Sequence, residues 1–288
     1  MKITGETKVI GIFGYPVRHS LSPLMQNAAL MDLGLNYIYL PFEVRPEQLE
    51  TAIKGIRALG ISGVNITIPH KEKVIPFLDE VTEEASLIGS VNTIENKNGK
   101  LIGHNTDSMG YIRSLREDGG FEPRGKNILV IGAGGAARGI IAGLSMNDVS
   151  VIFIANRTVE KGKALAEEFK NKFRQINFSA LPLSSLKDPE ILSQVDLVVN
   201  ATSMGLEEGA PDVEFSLTPP HTLVSDIIYK PAVTPFLKKA QDAGRKTLGG
   251  LGMLVYQGAI SLEIWTSQKA KVEVMRNSLT PFLAPCKS

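Results

Sequence analysis

Cysteine is almost missing from this chain: a single residue, Cys286, stands among 288. No internal disulfide can form, and a reducing compartment is expected. Histidine is scarce as well, with four scattered residues. No Cys/His cluster has metal-ligand spacing, so neither structural zinc nor any other metal is expected. No stretch approaches the roughly 18 consecutive apolar residues of a membrane span. The opening Met-Lys-Ile-Thr-Gly-Glu-Thr-Lys lacks the apolar core of a signal peptide, which makes the cytoplasm the expected location. Charge of one sign is missing too, because 31 basic and 30 acidic residues leave a net +1. That balance gives no reason to expect nucleic acid or a membrane surface as partner. Internal repeats, low-complexity tracts and heptads are also absent. What remains is an ordinary globular composition, 43% hydrophobic and 21% charged, at a length that suits two domains with a core each.

The most informative segment lies mid-chain. Asn127-Ile-Leu-Val-Ile131 reads as a short buried strand running into Gly132-Ala133-Gly134-Gly135-Ala136-Ala137-Arg138 and then a helix. Gly132 permits the tight turn, Gly134 lets backbone approach a pyrophosphate, and the small Ala137 allows helix and strand to pack closely. The helix start adds unpaired N–H groups and a favourable dipole for an anion. A second strand, Val151 to Ala155, ends about 20 residues further on, where such folds read the ribose. Asn156-Arg157-Thr158 stands there with Lys161 one turn later, in place of the acidic residue that would favour NAD. A guanidinium suits a 2′-phosphate, so NADP is the expected cofactor. A third strand, Val195 to Asn200, leads into Ala201-Thr202-Ser203-Met204-Gly205, a loop expected beside the nicotinamide.

More than a hundred residues precede that turn, and they alternate strand and helix. Val9 to Phe13, Tyr37 to Val44 and Gly63 to Ile68 read as strands. Ser22-Pro23 reads as an N-cap followed by a first-turn proline, and Leu49, Ile53, Ile56 and Leu59 recur at helical spacing. The rhythm implies a parallel sheet, followed by a hairpin about Asn98-Gly99. Strands at 127–131, 150–155, 195–200 and 222–228 form the second unit, with helices near 135–147 and 158–173, and 174–194 gives no clear pattern. Helical segments over 251–265 and 272–282 close the chain and are expected to return to the first domain. The fold class is therefore α/β, with an N-terminal substrate domain (1–107 plus 251–288) and a Rossmann-like domain for NADP (108–250).

Polar residues interrupt the first domain where strands or their ends should be apolar. They form three blocks: Gly14-Tyr-Pro-Val-Arg-His-Ser20-Leu-Ser22-Pro23, Asn65-Ile-Thr67-Ile-Pro-His-Lys71, and Asn92 with Asn105-Thr-Asp107. Joined to the glycine turn, Asn156-Arg157-Thr158, Asp226-Ile-Ile-Tyr229 and Gly250-Leu-Gly-Met-Leu-Val-Tyr-Gln257, these blocks resemble the shikimate dehydrogenase family, in order and over nearly the whole chain. Several ordered blocks are far more specific than any one motif.

The resemblance implies NADP-dependent reduction of 3-dehydroshikimate to shikimate, in aromatic amino-acid biosynthesis. It makes Lys71 and Asp107 the catalytic pair. A lysine beside a carboxylate can exchange the hydroxyl proton and stabilise developing alkoxide charge. Ser20 and Ser22 are implied to bind the substrate carboxylate, Thr67, Asn92, Asp107 and Gln257 the ring hydroxyls, and Tyr229 the carboxylate side. Gly132, Ala133, Gly134, Gly135, Ala136, Asn156, Arg157, Thr158, Lys161, Thr202, Ser203, Met204, Ile227 and Gly250 are implied at the cofactor. His19 and His70 read as loop residues. Departures from the family are small: Ser108 where glycine is usual, Gly249 where an acid is often seen, and Glu83 as only an approximate match. The competing readings are a quinate/shikimate dehydrogenase accepting NAD, and a non-catalytic sensor. The chain is expected to act on a small molecule as a monomer or homodimer.

Overall fold

The structure is a computed structural model that describes residues 2–202, 204 and 209–283. Ser203, Gly205 and Cys286, singled out above, lie outside these residues. The chain divides into two compact units, one of Val255–Phe282 with the chain up to Gly110, the other of Tyr111–Leu254.

The first unit opens with β1 (Lys8–Gly14), α1 (Ser22–Asp32), β2 (Tyr37–Glu43), α2 (Leu49–Ala58) and β3 (Gly63–Ile66). It continues through β4 (Glu80–Val81), α3 (Glu83–Ile88), β5 (Thr93–Lys97) and β6 (Lys100–His104) into α4 (Thr106–Glu117), within which the unit boundary falls. The strand order is β2-β1-β3-β5-β6-β4. β1 pairs in parallel with β2 and β3, but β3–β5 and β5–β6 are antiparallel, so the sheet is mixed rather than wholly parallel. The hairpin accounts for the second of these reversals, between β5 and β6. Asn98 and Gly99 hold φ of 55° and 90°, the two positive values that a two-residue turn of this hand requires. On α2, Leu49, Ile53 and Ile56 are buried, each contributing about 1.5–3 kcal/mol of apolar burial, and they join Val64, Ile66 and Ile94 in the core.

The second unit holds β7 (Asn127–Ile131), α5 (Gly135–Ser145), β8 (Val151–Ala155), α6 (Val159–Lys172) and β9 (Asn177–Leu181). After a short α7 (Pro189–Leu192) come β10 (Leu197–Asn200), β11 (Leu223–Asp226), α8 (Pro235–Asp242) and β12 (Lys246–Leu248). All six strands are parallel in the order β9-β8-β7-β10-β11-β12. Counted within the unit this is 3-2-1-4-5-6, the doubly wound dinucleotide order, whose crevice opens where the order reverses, between β7 and β10. β7 and β10 are buried on both faces, and Leu129, Ile131, Val198, Phe215, Val224 and Phe236 share one core.

The chain closes with α9 (Leu251–Thr266) and α10 (Val272–Leu283). Trp265 on α9 donates its indole N–H to the Ile94 carbonyl at 2.9 Å. That approach requires glycine at 63, where a Cβ would stand 2.2 Å from the indole nitrogen.

Candidate active site

In the first unit, the chain leaving β3 turns so that Lys71 faces the start of α4. Its Nζ donates to Asp107 Oδ2 at 2.5 Å, and both side chains keep some exposure, 30% and 22%. Backbone fixes each partner. The Thr67 N–H donates to Phe13 at 2.9 Å, the His70 N–H to Thr67 at 3.0 Å, and the Lys71 carbonyl accepts from Val91 at 2.9 Å. On the other side Asn105 caps α4, its Oδ1 accepting from the N–H of Asp107 at 3.1 Å and of Ser108 at 3.3 Å. The Asn105 amide in turn donates to the Ser90 carbonyl at 2.9 Å. A lysine and a carboxylate on such rigid supports can hold and deliver a proton at one place.

Next to this pair runs a buried polar network. Asn92 Oδ1 accepts from the Thr106 N–H at 2.7 Å, and its Nδ2 donates to Thr106 Oγ1 at 3.0 Å. Asn65, buried mid-strand, accepts from the Tyr39 hydroxyl at 2.7 Å and donates to Thr93 and to Ser261 on α9, both at 3.0 Å. Desolvation pushes the Tyr39 phenol far up, opposed by the neighbouring Ser22 hydroxyl. Buried polar groups satisfied in this way fix one geometry. The network joins β3, the start of β5, α4 and α9, and so places Asn92, Asp107 and Gln257 together. Gly110 is required for the last of these, since a Cβ there would meet Gln257 N at 2.6 Å. At the end of β1, a Cβ on Gly14 would fall 2.3 Å from Thr67 Cγ2, so glycine lets Thr67 lie against that strand.

Ser22 departs from the sequence reading. The N-cap of α1 is Leu21, at φ −86° and ψ −6°, with no side-chain cap bond, and Ser22 is the first helical residue. A capping hydroxyl needs an extended residue outside the helix. Ser22 is buried, and its N–H donates to Ser20 Oγ at 3.3 Å, which leaves both hydroxyls uncommitted to capping. His70 is a loop residue as expected, but a buried one, with Nε2 2.7 Å from the Val44 carbonyl and no partner for Nδ1 among the described residues. Ser108 gains a contact its position did not suggest, its hydroxyl donating to Glu84, whose carboxyl is raised by burial.

In the second unit the glycine turn joins β7 to α5 at the reversal point. Gly132 sits at φ +116°, and a Cβ there would meet Thr202 Cγ2 at 3.0 Å and the Ala201 carbonyl at 3.1 Å. Gly134 is the N-cap of α5 with no side-chain bond to the first-turn N–H groups. Gly134, Gly135 and Ala136 are exposed, Ala133 is half-buried, and Ala137 packs inside. Uncapped N–H groups at a helix start, reached over residues without bulk, fit a pyrophosphate. After β8, the Asn156 amide donates to the Thr158 carbonyl at 2.8 Å, while Arg157, Thr158 and Lys161 are exposed. These side chains fit a 2′-phosphate.

The carboxyl ends of β10 and β11 carry the remaining residues. Thr202 donates its N–H and hydroxyl to Asn200 Oδ1 at 3.1 and 2.7 Å, and the Met204 N–H donates to Thr202 Oγ1 at 3.1 Å. Gly250 presses on the loop after β11: a Cβ would come within 2.0 Å of the Ile227 carbonyl oxygen. Tyr229 in that loop is half-buried, and desolvation raises its phenol. The sequence reading passed over Asn200, Thr234, Asn65 and Ser261 as individual site residues. The available signal was a polar residue inside or ending a strand that is otherwise apolar. No group of three His, Cys, Asp or Glu residues is placed to hold a metal among the described residues, and none of their helices is long and apolar enough to cross a membrane.

Known proteins resemble this chain over nearly its whole length. Residues 12–94 match a domain family described as the shikimate dehydrogenase substrate binding domain, 118–207 match shikimate / quinate 5-dehydrogenase, and 250–280 match the shikimate 5′-dehydrogenase C-terminal domain. The NADP+ shikimate dehydrogenase of Geobacter metallireducens is 49% identical, covering 96% of this chain and 97% of its own. A solved shikimate dehydrogenase in complex with NADP+ superposes with a TM-score of 0.90 at 44% identity, covering 99% and 98% of the two chains. The Listeria monocytogenes shikimate 5-dehydrogenase, solved with shikimate and NAD, gives 0.92 at 35% identity over 97% and 98%.

Proposed function

The chain belongs to the shikimate dehydrogenase family, and on that premise we propose that it reduces 3-dehydroshikimate reversibly to shikimate with NADPH, as a step in aromatic amino-acid biosynthesis. It is an NADP-dependent oxidoreductase acting on a CH–OH group. The observation that carries the reading is the Lys71–Asp107 pair, 2.5 Å apart and still partly exposed, beside the buried polar network of Asn65, Asn92, Thr106 and Ser261. NADPH, when bound, supplies the hydride to the ketone carbon. Lys71 Nζ delivers the proton to the oxygen as it becomes a hydroxyl, and in the reverse direction takes it back. Asp107 orients the lysine amine, so negative charge building on the oxygen meets a proton donor held in one place.

Around that centre the proposed contacts divide by chemistry. Ser20 and Ser22 offer the substrate carboxylate hydroxyls that cap no helix, and Tyr229 is proposed for the carboxylate side. Thr67, Asn92 and Gln257 pair with ring hydroxyls; Asn92 keeps one amide proton beyond its bond to Thr106. A site built to pair hydroxyls rejects substrates that leave its polar groups unpaired. The cofactor is held at Gly132, Ala133, Gly134, Gly135 and Ala136 by its pyrophosphate, at Asn156, Arg157, Thr158 and Lys161 by its phosphorylated ribose, and at Thr202, Met204, Ile227 and Gly250 beside the nicotinamide. Tyr229 of the second unit apart, substrate is thus assigned to the first unit and cofactor to the second.

The test is to follow reduced cofactor spectroscopically with shikimate or quinate against NADP+ or NAD+, for wild type and Lys71→Ala. Turnover with shikimate and NADP+ is expected to dominate, and Lys71→Ala to lower kcat by about 10²–10⁴. No wild-type turnover with shikimate and NADP+ rejects the function; full kcat in Lys71→Ala rejects the mechanism.

A further inference from the structure

Asp226 belongs to none of the proposed contacts, yet it is fully buried at the carboxyl end of β11, directly across from Asn200 at the end of β10. One carboxylate there accepts from three separate segments. Oδ1 takes the Asn200 amide at 3.2 Å and the Ile228 N–H at 3.1 Å, and Oδ2 takes the Thr234 hydroxyl at 2.6 Å. Each donor controls something further. Asn200 accepts both donors of Thr202 and reaches the Met204 carbonyl at 3.2 Å. Ile228 sets the loop that follows β11, whose Ile227 N–H donates back to Asn200 at 3.2 Å and whose Ile228 carbonyl accepts from Gly250 at 3.1 Å. Thr234 caps α8, accepting from the Leu237 N–H at 3.3 Å.

A buried carboxylate is costly unless its acceptors are filled, so a chain that only needed a stable strand end would place an apolar residue there. Three donors from three segments instead make one residue the common anchor of Thr202, Met204, Ile227 and Gly250. We propose that Asp226 is a positioning residue for the cofactor, holding the two loops beyond β10 and β11 in the spacing that the nicotinamide half of NADP requires. This rests on the reading that those loops touch the cofactor. Asp226 itself touches no reacting atom; it acts through Asn200 and Ile228.

The experiment compares wild type, Asp226→Ala, Asp226→Asn and Thr234→Val by NADPH fluorescence for Kd, steady-state kinetics with shikimate and NADP+, and thermal melting. Asp226→Ala is expected to raise NADPH Kd and NADP+ KM and lower kcat by about ten- to a hundredfold, the scale of a misplacement near 1 Å, while shikimate KM changes less. Asp226→Asn keeps Oδ1 for Asn200 and Ile228 and offers Nδ2 to Thr234 Oγ1, so it should restore most of the loss. A fall in melting temperature with unchanged NADPH Kd and kcat in Asp226→Ala overturns the proposal, as does an equal rise in both KM values. Should Asp226→Ala fail to fold, Thr234→Val decides: it removes one of the three donors, a several-fold rise in NADPH Kd supports the anchor, and an unchanged Kd rejects it. Wild type that binds NADPH without turning over shikimate rejects the proposed function and leaves the Kd comparison to judge Asp226. Wild type that does not bind NADPH rejects both.

Discussion

At the scale of single residues, charge pairs of similar appearance serve different ends. Arg157, proposed to read the ribose, stands exposed in the loop before α6, where a charge-assisted pair with a 2′-phosphate would contribute about 1.5–3 kcal/mol. Arg157→Ala should therefore raise KM for NADP+ about ten- to a hundredfold and leave KM for NAD+ nearly unchanged; equal effects on both would remove the phosphate argument. Arg138 looks alike in sequence but turns inward. Its guanidinium grips Glu168 on α6 with two bonds of 2.7 and 2.6 Å, and Lys172 adds a third at 2.8 Å. The Arg138 hydrogen bonds, with Lys172 assisting and against partial burial, lower the Glu168 carboxyl from 4.5 to about 2. A carboxyl depressed on folding adds stability that is complete above its unfolded value and lost as pH falls through its folded one. The melting temperature of wild type should thus exceed that of Glu168→Gln at neutral pH, and the difference should close between pH 4.5 and about 2. A difference independent of pH would show that the pair has another role. The residues proposed to carry chemistry, Lys71 and Asp107, were legible in the sequence within polar blocks at the ends of apolar strands. Their internal partners were not, because a hydroxyl such as Ser261 on a helix gives no sign of whether it faces solvent or four buried acceptors and donors.

At the scale of elements, the pattern that two residues announce depends on the backbone around them. Ser22-Pro23 and Thr234-Pro235 carry the same helix-start signal, yet only the second is a cap. Thr234 lies at φ −77° and ψ 161°, extended enough for its hydroxyl to reach the Leu237 N–H, whereas the turn before α1 is already helical at Leu21. Strong apolar strands such as β7, β8 and β10 were legible to within a residue or two. β4, α3, β9, α7, α8 and β12 were not legible in the sequence. β9, Asn177–Leu181, has no fully buried residue and forms the sheet edge, so its hydrophobic signal is weak. Glycine contacts between elements were beyond reach from sequence, since they need the neighbour's position. Gly250→Ala tests one of them. Its Cβ would stand 2.0 Å from the Ile227 carbonyl, a clash with backbone that must move. The expected result is destabilisation by about 1–3 kcal/mol, measured by denaturant unfolding, together with a raised NADP+ KM. Full stability with wild-type kinetics would mean that the loop after β11 yields freely and sets nothing at the cofactor.

At the scale of the whole molecule, the chain passes from one unit to the other within α4 and again within α9, between Gly110 and Tyr111 and between Leu254 and Val255. Each unit nevertheless buries its own core and carries its own half of the proposed chemistry. Lys71, Asp107, Asn92 and Gln257 are tied together by bonds inside the first unit, and Gly132, Thr202 and Ile227 by contacts inside the second. If the assignment of ligands to units is right, each ligand alone should quiet a separate set of backbone amides, because a ligand that binds only the folded state suppresses opening of the segments it touches. Hydrogen exchange read by mass spectrometry on the intact chain makes this visible. NADP+ alone is expected to slow exchange at Gly132–Ala137 and around Thr202 and Ile228, and shikimate alone at Thr67–Lys71 and Asn105–Ser108. With ligand at about a hundred times its Kd, linkage adds about 2.7 kcal/mol to the folded state, enough to slow exchange through global opening roughly a hundredfold. Local protection must therefore be read in the fast-exchanging loops, which open without global unfolding. NADP+ that protects the Thr67–Lys71 turn while leaving Gly132–Ala137 unchanged would reverse the assignment of ligands to units, and with it the division of labour that places proton transfer in one unit and cofactor binding in the other.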